Sequence, residues 1–244
     1  MCGCAFPTLI VLSAAFFSFG AWGGLSTAVM LTLVIITGAA LTFLISRILS
    51  VTLLKGAAAS FTLELPPYRR PQIGKVLIRS LFDRTIFVLG RAVTSAAPAG
   101  LIIWLLANVE AGGSTLLAHC AGFLDPAGRF FGMDGAILLA FILGFPANEI
   151  VLPILLMIYI GSSTLSDYSG AAELGAILTA NGWTWVTALC VIIFMLCHFP
   201  CATSCLTVKK ETGSWKWTLA AAAVPTAAGL LICAAVSGFA GIFQ

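Results

Sequence analysis

The chain has 244 residues, of which 60% are hydrophobic and 9% charged, and its net charge is +3. A soluble domain carries about 25% charged residues, so this composition and a mean hydropathy of +1.09 exclude an ordinary water-soluble globule. Eight of the twelve Lys and Arg residues fall between Arg47 and Arg91. That is a local cluster, not a nucleic-acid-binding surface spread along the chain, and it reads as a cytoplasmic loop by the positive-inside rule.

Met1-Cys2-Gly3-Cys4 has no basic region of the kind that opens a signal peptide, and apolar sequence begins almost at once, as if the chain were cut from something longer. A spanning helix needs about 20 largely apolar residues. Segments 6–23, 25–45, 93–109, 135–160, 183–208 and 217–239 approach or exceed that length. The expected fold class is an all-α polytopic membrane protein. Residues 1–46 form two N-terminal membrane segments, 47–92 a basic Pro-containing loop and amphipathic helix, and 93–244 a C-terminal domain with interrupted helices. Within the loop, Pro66, Pro67 and Pro71 restrict the backbone to extended or turn geometry. In 73–91, Val76, Leu77, Leu81, Ile86 and Val88 alternate with Lys75, Arg79, Arg84 and Arg91. That pattern suits an amphipathic helix on the inner membrane face, basic side toward anionic lipid, or a continuation of the next span with a solvated start. Residues 110–134 read as a loop with a short helix around 116–123, re-entrant or not. Residues 161–182 are Ser- and Gly-rich with a short apolar piece at 171–178.

Topology carries one conflict. With the basic loop cytoplasmic, four later spans return the C-terminus to the cytoplasm and leave Lys209, Lys210 and Lys216 outside, against the charge rule. One re-entrant segment in place of a span removes the conflict.

Two of the long segments are interrupted. His198-Phe199-Pro200-Cys201-Ala202-Thr203-Ser204-Cys205 places a proline and thiols late in an apolar run. Gly144-Phe145-Pro146-Ala147-Asn148-Glu149 interrupts the run before it. Broken backbone at membrane depth is tolerated where it is buried in protein or lines a cavity, and such interruptions point to a transporter's binding site. Cys197, Cys201 and Cys205 are spaced by four, so a helix would carry them as one stripe. Thiolate ligands suit late divalent metals; equally, small residues here allow close helix packing. Pro200 favours a functional role for Cys201, whereas Cys190 and Cys197 read as packing. Glu149 is an ionisable group at depth and a functional candidate on that ground; the alternative is a structural Glu paired with a cation or a helix N-terminus. Asn148 and Glu149 offer oxygen ligands. Cys2 and Cys4 are too few to bind metal alone and could form a redox pair. His119 reads as a solvated loop residue. The eight cysteines lie mostly in apolar runs and read as reduced thiols or packing residues rather than a disulfide framework. No nucleotide-binding loop or hydrolase motif is present.

Phe199-Pro200-Cys201-Ala202-Thr203 with Lys209-Lys210-Glu211-Thr212-Gly213-Ser214-Trp215-Lys216-Trp217 resembles the last gate segment of the ferrous iron transport protein B family. Glu64-Leu65-Pro66-Pro67-Tyr68-Arg69 resembles that family's loop between gate regions, Gly144 to Glu149 its broken-helix segment, and Met1-Cys2-Gly3-Cys4 its earlier cysteine stretch. The resemblance implies a bacterial inner-membrane importer that carries Fe²⁺ as transported substrate, with no permanently bound cofactor and no enzymatic activity in this portion. It implies Cys201 as gate ligand, with Glu149, Cys2, Cys4, Asn148 and Cys205 as further metal contacts and Pro200, Pro146 and Gly144 as the helix breaks. It also implies partners: the lipid bilayer, an N-terminal GTP-binding and first-gate half that this sequence lacks, a small SH3-like protein, and further copies in an oligomer. Asn148 stands where the family commonly has a basic residue, and Cys205 is an additional thiol. Two other readings stay open, a gate-fold permease for a nucleoside-like solute and a membrane thiol-redox protein using Cys2 and Cys4.

Overall fold

In the computed structural model, residues 6–18, 23–52, 73–165, 170–197 and 201–242 are described. They form α1 (Phe6–Phe17), α2 (Gly23–Thr52), α3 (Ile73–Ser80), a π-helical stretch (Leu81–Ile86), α4 (Phe87–Asn108), β1 (Glu110–Ala111), β2 (Ser114–Thr115), α5 (Leu116–Phe130), α6 (Gly135–Leu143), a 3₁₀ turn (Asn148–Ile150), α7 (Val151–Ile160), α8 (Ala171–Ala180), α9 (Trp185–Cys197), α10 (Ala202–Thr212) and α11 (Trp215–Ile242). Among the described residues the fold is all-α apart from the hairpin of two-residue strands β1–β2. Among them two helices, over Gly23–Ile48 and Trp215–Ala240, are long and apolar enough to cross a membrane, and up to four spans result if each bent helix pair counts as one. Large apolar side chains such as Phe43, Leu219 and Leu231 stand exposed on these long helices. That is the arrangement of a polytopic membrane protein, whose outer surface meets lipid.

The amphipathic segment is helical as its pattern requires, but it does not stand apart. α3 runs through the π-helical stretch directly into α4, and Ile86 at the junction has helical angles, φ −71° and ψ −44°. The backbone does not change at 92–93, where the sequence suggested a boundary. Pro98 sits inside α4 without ending it.

The loop expected over 110–134 is mostly helix, a correction with a local cause. Thr115 caps α5 by accepting a hydrogen bond from Ala118 N, which satisfies one of the orphan donors of a helix start. Arg129 pairs with Asp125 at 2.6 Å across one turn, so the helix continues through Pro126 to Phe130. It ends at Gly132, whose φ of +72° is open to glycine at little cost. α5 then meets α6 at a bend of 110°. Their crossing is close because Gly135 has no side chain: a Cβ there would strike Ala121 O and lie 2.5 Å from Asp125 N.

A chain of polar contacts joins the ends of four elements at one level. Asp134 caps α6 through its Oδ1, accepting from Ile137 N at 2.7 Å. Its Oδ2 accepts a hydrogen bond from the Tyr159 hydroxyl in the last turn of α7. Tyr159 in turn accepts from Trp183 Nε1 at 2.8 Å, just before α9. The Trp183 ring stacks on Phe16 near the end of α1, with centroids 5.7 Å apart. α6 and α7 therefore form an antiparallel hairpin with their outer ends clasped.

α11 packs antiparallel to α9. Cys190 Sγ donates to Cys233 O and Cys233 Sγ to Cys190 O at 3.2 Å. A Cβ on Gly229 would lie 2.8 Å from Cys197 Cβ. These contacts give Cys190 and Cys197 the packing role that their apolar setting suggested. The six described cysteines are free thiols.

Two glycines of the α5–α6 crossing separate close approach from helix propensity. Gly135→Ala drives a methyl group into backbone, and overpacking of this kind costs about 1–3 kcal/mol or more. Gly122 of α5 has open space around its Cβ position, so Gly122→Ala should be neutral or stabilising by up to about 1 kcal/mol. In the same detergent, Gly135→Ala should lower the thermal unfolding midpoint and Gly122→Ala should leave it unchanged or raise it.

Candidate functional site at two interrupted helices

The first interruption separates α6 from α7. Gly144 ends α6 with its N–H bonded to Ala140 O at 2.8 Å, and Ala147 N closes a turn onto Gly144 O at 3.1 Å. A Cβ at Gly144 would run into Val151 Cγ2, so only glycine lets α7 fold back this closely. Pro146 is half-buried in the turn. The 3₁₀ turn then leads into α7 and orients its two polar residues oppositely. Asn148 is 5% exposed, whereas Glu149 is exposed. Asn148 Oδ1 is buried and has no hydrogen-bond partner among the described residues. Buried polar atoms are paired in the great majority of cases, so this oxygen is an acceptor in need of a donor or a cation.

The second interruption separates α9 from α10. α9 ends at Cys197 and α10 begins at Ala202; His198, Phe199 and Pro200 lie outside the described residues. The continuous stripe expected of Cys197, Cys201 and Cys205 is therefore broken. Cys197 belongs to the helix packed on α11, while Cys201 and Cys205 share α10, Cys205 N bonding to Cys201 O at 3.0 Å. Cys201 precedes the first residue of α10 with φ −58° and ψ 166°. Its Sγ is 3.6 Å from Ser204 Oγ. It is 4% exposed, and Cys205 is half-buried.

The two interruptions meet. Ala202 N donates to Phe145 O at 3.0 Å, so the first peptide of α10 is bonded to the turn after α6. Nearby, Phe141 of α6 and Phe194 of α9 pack edge to face with centroids 4.7 Å apart. Cys201 and the Asn148 turn thus lie on two backbone segments joined by one hydrogen bond.

Other expected candidates fall elsewhere. Cys2 and Cys4 lie outside the described residues, before α1. His119 is exposed in the first turn of α5, held locally by Thr115 O at 3.1 Å and Ser114 Oγ at 3.2 Å. Among the described residues no group of three or more His, Cys, Asp or Glu side chains is placed to hold a metal ion. The sequence reading missed the Phe145–Ala202 link, for which no local signal exists. It also missed Asp134, although an Asp just ahead of an apolar run is a recognisable helix-cap signal.

Comparison with known proteins gives the lineage. The model of the ferrous iron transport protein B C terminus matches residues 31–83, and that of the Gate family, described as nucleoside recognition, matches residues 89–215. A Fe(2+) transporter FeoB of Staphylococcus aureus (strain COL) is 34% identical over 201 residues, covering 78% of this chain and 28% of the relative. A Fe(2+) transport protein A/Fe(2+) transporter FeoB fusion protein of Porphyromonas gingivalis is 23% identical over 265 residues, 89% of this chain and 30% of the relative. The FeoB of Methanocaldococcus jannaschii is 23% identical over 232 residues, 89% of this chain and 32% of the relative. The chain therefore spans about a third of the length of these relatives. No solved structure matches at a significant level. The Gate match covers more than half of the chain and contains both interruptions, so the chain belongs to the Gate family, and the match over residues 31–83 and the FeoB relatives make it similar to the C-terminal membrane portion of ferrous iron transport protein B.

Proposed function

We propose that the chain forms the C-terminal part of a bacterial inner-membrane permease for Fe²⁺, and that the ion passes where the two interrupted helices meet. The observation that carries this reading is the Ala202 N–Phe145 O bond, which joins a segment holding a buried thiol to one holding a buried amide oxygen with no partner among the described residues. Fe²⁺ is a borderline divalent ion. It accepts sulfur, which Mg²⁺ and Ca²⁺ do not favour, and it still tolerates amide oxygen.

In this scheme Cys201 and Asn148 exchange part of the hydration shell for sulfur and oxygen. Cys205, one turn further along α10, offers the next thiol. Glu149 points away from Asn148 and serves approach rather than the narrow point, or faces the rest of a longer protein. Cys2 and Cys4 belong to the same path as earlier contacts. Binding stays weak enough for release because each step uses few protein ligands. This portion does no chemistry on the ion; nucleotide hydrolysis belongs to an N-terminal half, which this chain works with. The Porphyromonas relative, fused to a transport protein A, supports a small protein of that kind as a further partner. The nucleoside-recognition description of the Gate family supports the second reading, an organic solute.

Anaerobic Fe²⁺ binding to the reduced chain in lipid nanodiscs separates the two. Cys201→Ser should weaken binding by at least about tenfold, equivalent to about 1.4 kcal/mol. Asn148→Leu, which keeps the volume and removes the oxygen, should weaken it by roughly fivefold. Unchanged affinity in both variants, together with saturable uridine binding, would replace the iron reading with the organic-solute one.

Ala202→Pro probes the link itself. Proline is well tolerated at the first position of a helix, and the extended ψ of Cys201 suits a following proline. The substitution removes the donor to Phe145 O and leaves the start of α10 intact. It should cost about 1–3 kcal/mol of stability and raise the alkylation rate of Cys201 several-fold. An unchanged alkylation rate would show that the link does not hold the break closed.

A further inference from the structure

We infer that residues 135–160 do not cross the membrane but enter and leave it by one face as a re-entrant hairpin, and that this face is extracytoplasmic and opposite to the chain's basic segments.

Length comes first. α6 has 9 residues and α7 has 10. At 1.5 Å per residue they reach ~14 and ~15 Å, about half of a ~30 Å hydrocarbon core. Their outer ends are clasped by Tyr159 and Asp134, so the turn at Gly144–Ile150 is the inner tip and lies near mid-depth. An uninterrupted helix over 135–160 would have crossed.

The neighbouring elements share this level. Trp183 Nε1 bonds to Tyr159, so α9 starts at the hairpin's base. It descends beside α6, as the Phe141–Phe194 pair shows, and ends at tip depth where Ala202 N meets Phe145 O. α10 continues beyond the tip. α11 returns antiparallel: Gly229 lies against Cys197 at tip depth, and Ser237 lies against Gly132 at the base. Trp215 and Ser237 are roughly 33 Å apart along that helix, so Trp215 and Lys216 are on the opposite face.

The N-terminal elements agree. Phe16 stacks on Trp183, which puts the end of α1 at the base. Ser26 Oγ bonds to Phe17 O at 2.9 Å, so α2 starts there too and carries Arg47 to the far side along the Gly23–Ile48 span. α4 packs against both α10 and α5 and brings the chain back.

The charges then sort by face. Arg47, Lys75, Arg79, Lys209, Lys210 and Lys216 lie on the far side, with Glu211 beside the α10 lysines. Glu110, Asp125, Asp134 and Glu173 lie at the base with Arg129, which is already paired with Asp125. A Lys209–Trp215 contact, with Nζ 3.8 Å from the ring centroid, adds an aromatic and cation pair suited to a membrane interface. By the positive-inside rule the far side is cytoplasmic. Counting residues 135–160 as a span is what had put Lys209, Lys210 and Lys216 outside. The acidic base becomes the outer vestibule, where excess negative charge concentrates cations, and the hairpin tip becomes the barrier at its floor.

Single cysteines at exposed positions decide the matter. Ala111→Cys, Asn181→Cys and Lys210→Cys are expressed singly in bacterial cells, and mass-shifted with a membrane-impermeant polyethylene glycol maleimide over the unmodified chain's background. Positions 111 and 181 should label in intact cells, and 210 only after permeabilisation. Labelling of 111 and 181 from opposite sides would mean that 135–160 spans and would overturn the inference. Labelling of both from the cytoplasmic side only would overturn the assignment of the outer face. Short epitope tags inserted after Gly112, Ser163 and Gly213, read with antibody on spheroplasts, give the same answer if a cysteine variant fails to assemble, and are judged by the same criteria.

Discussion

In hydrocarbon an unpaired peptide group costs several kcal/mol. A helix can stop at membrane depth only where some other group takes up its free donors and acceptors. This chain interrupts two helices and bonds one break to the other. The N–H of Ala202, an orphan donor at the start of α10, bonds to the carbonyl of Phe145 just past the end of α6. The first break also closes turns of its own, and the one bond between the breaks brings Cys201 and Asn148 onto adjoining segments. Had either helix run straight, both residues would be ordinary members of a spanning stripe.

That meeting of two tips needs both helices to start from a common level, and the polar chain at the hairpin base supplies it. Asp134 caps α6 and holds Tyr159, Tyr159 holds Trp183, and Trp183 rests on Phe16. Tyr159 and Trp183 each have an apolar body and a polar end, and both polar ends are satisfied. Because fully satisfied polar networks specify one arrangement, the registers of α6, α7 and α9 are fixed at one end and their inner ends follow. Gly135 and Gly132 then admit α5 and α11 to the same level, the first against Asp125 N and the second against Ser237.

Much of this was legible in the sequence, and the reasons are physical. Apolar length and the near absence of charge dictate membrane helices, and Gly144-Phe145-Pro146 and Phe199-Pro200-Cys201 announce the breaks, because proline and glycine act locally on the backbone. The asymmetry within one dipeptide was not legible. Asn148 turns inward and Glu149 outward, and only the 3₁₀ turn between α6 and α7 decides that. The sense of α7 was hidden for the same reason: composition is identical for a helix that continues and one that doubles back. The helix expected around 116–123 runs on to 130: Asp125-Pro126 and Gly128 carry turn propensity, which the Asp125–Arg129 pair overrides.

The division of labour between thiols follows from the same geometry. Cys190, Cys197 and Cys233 lie in the α9–α11 seam, where sulfur meets carbonyl or glycine and small size is what counts. Cys201 stands at a helix start, where backbone turns away from its own ladder and a neighbour can be exchanged for a ligand. An ion that met three or four thiols at once would be held, as at structural metal sites. An ion that meets one thiol and one amide oxygen, and then another thiol a turn later, gives up water in instalments and regains it easily. On the proposed reading, the spacing of donors along the path, rather than the affinity of any one of them, is what the two broken helices provide.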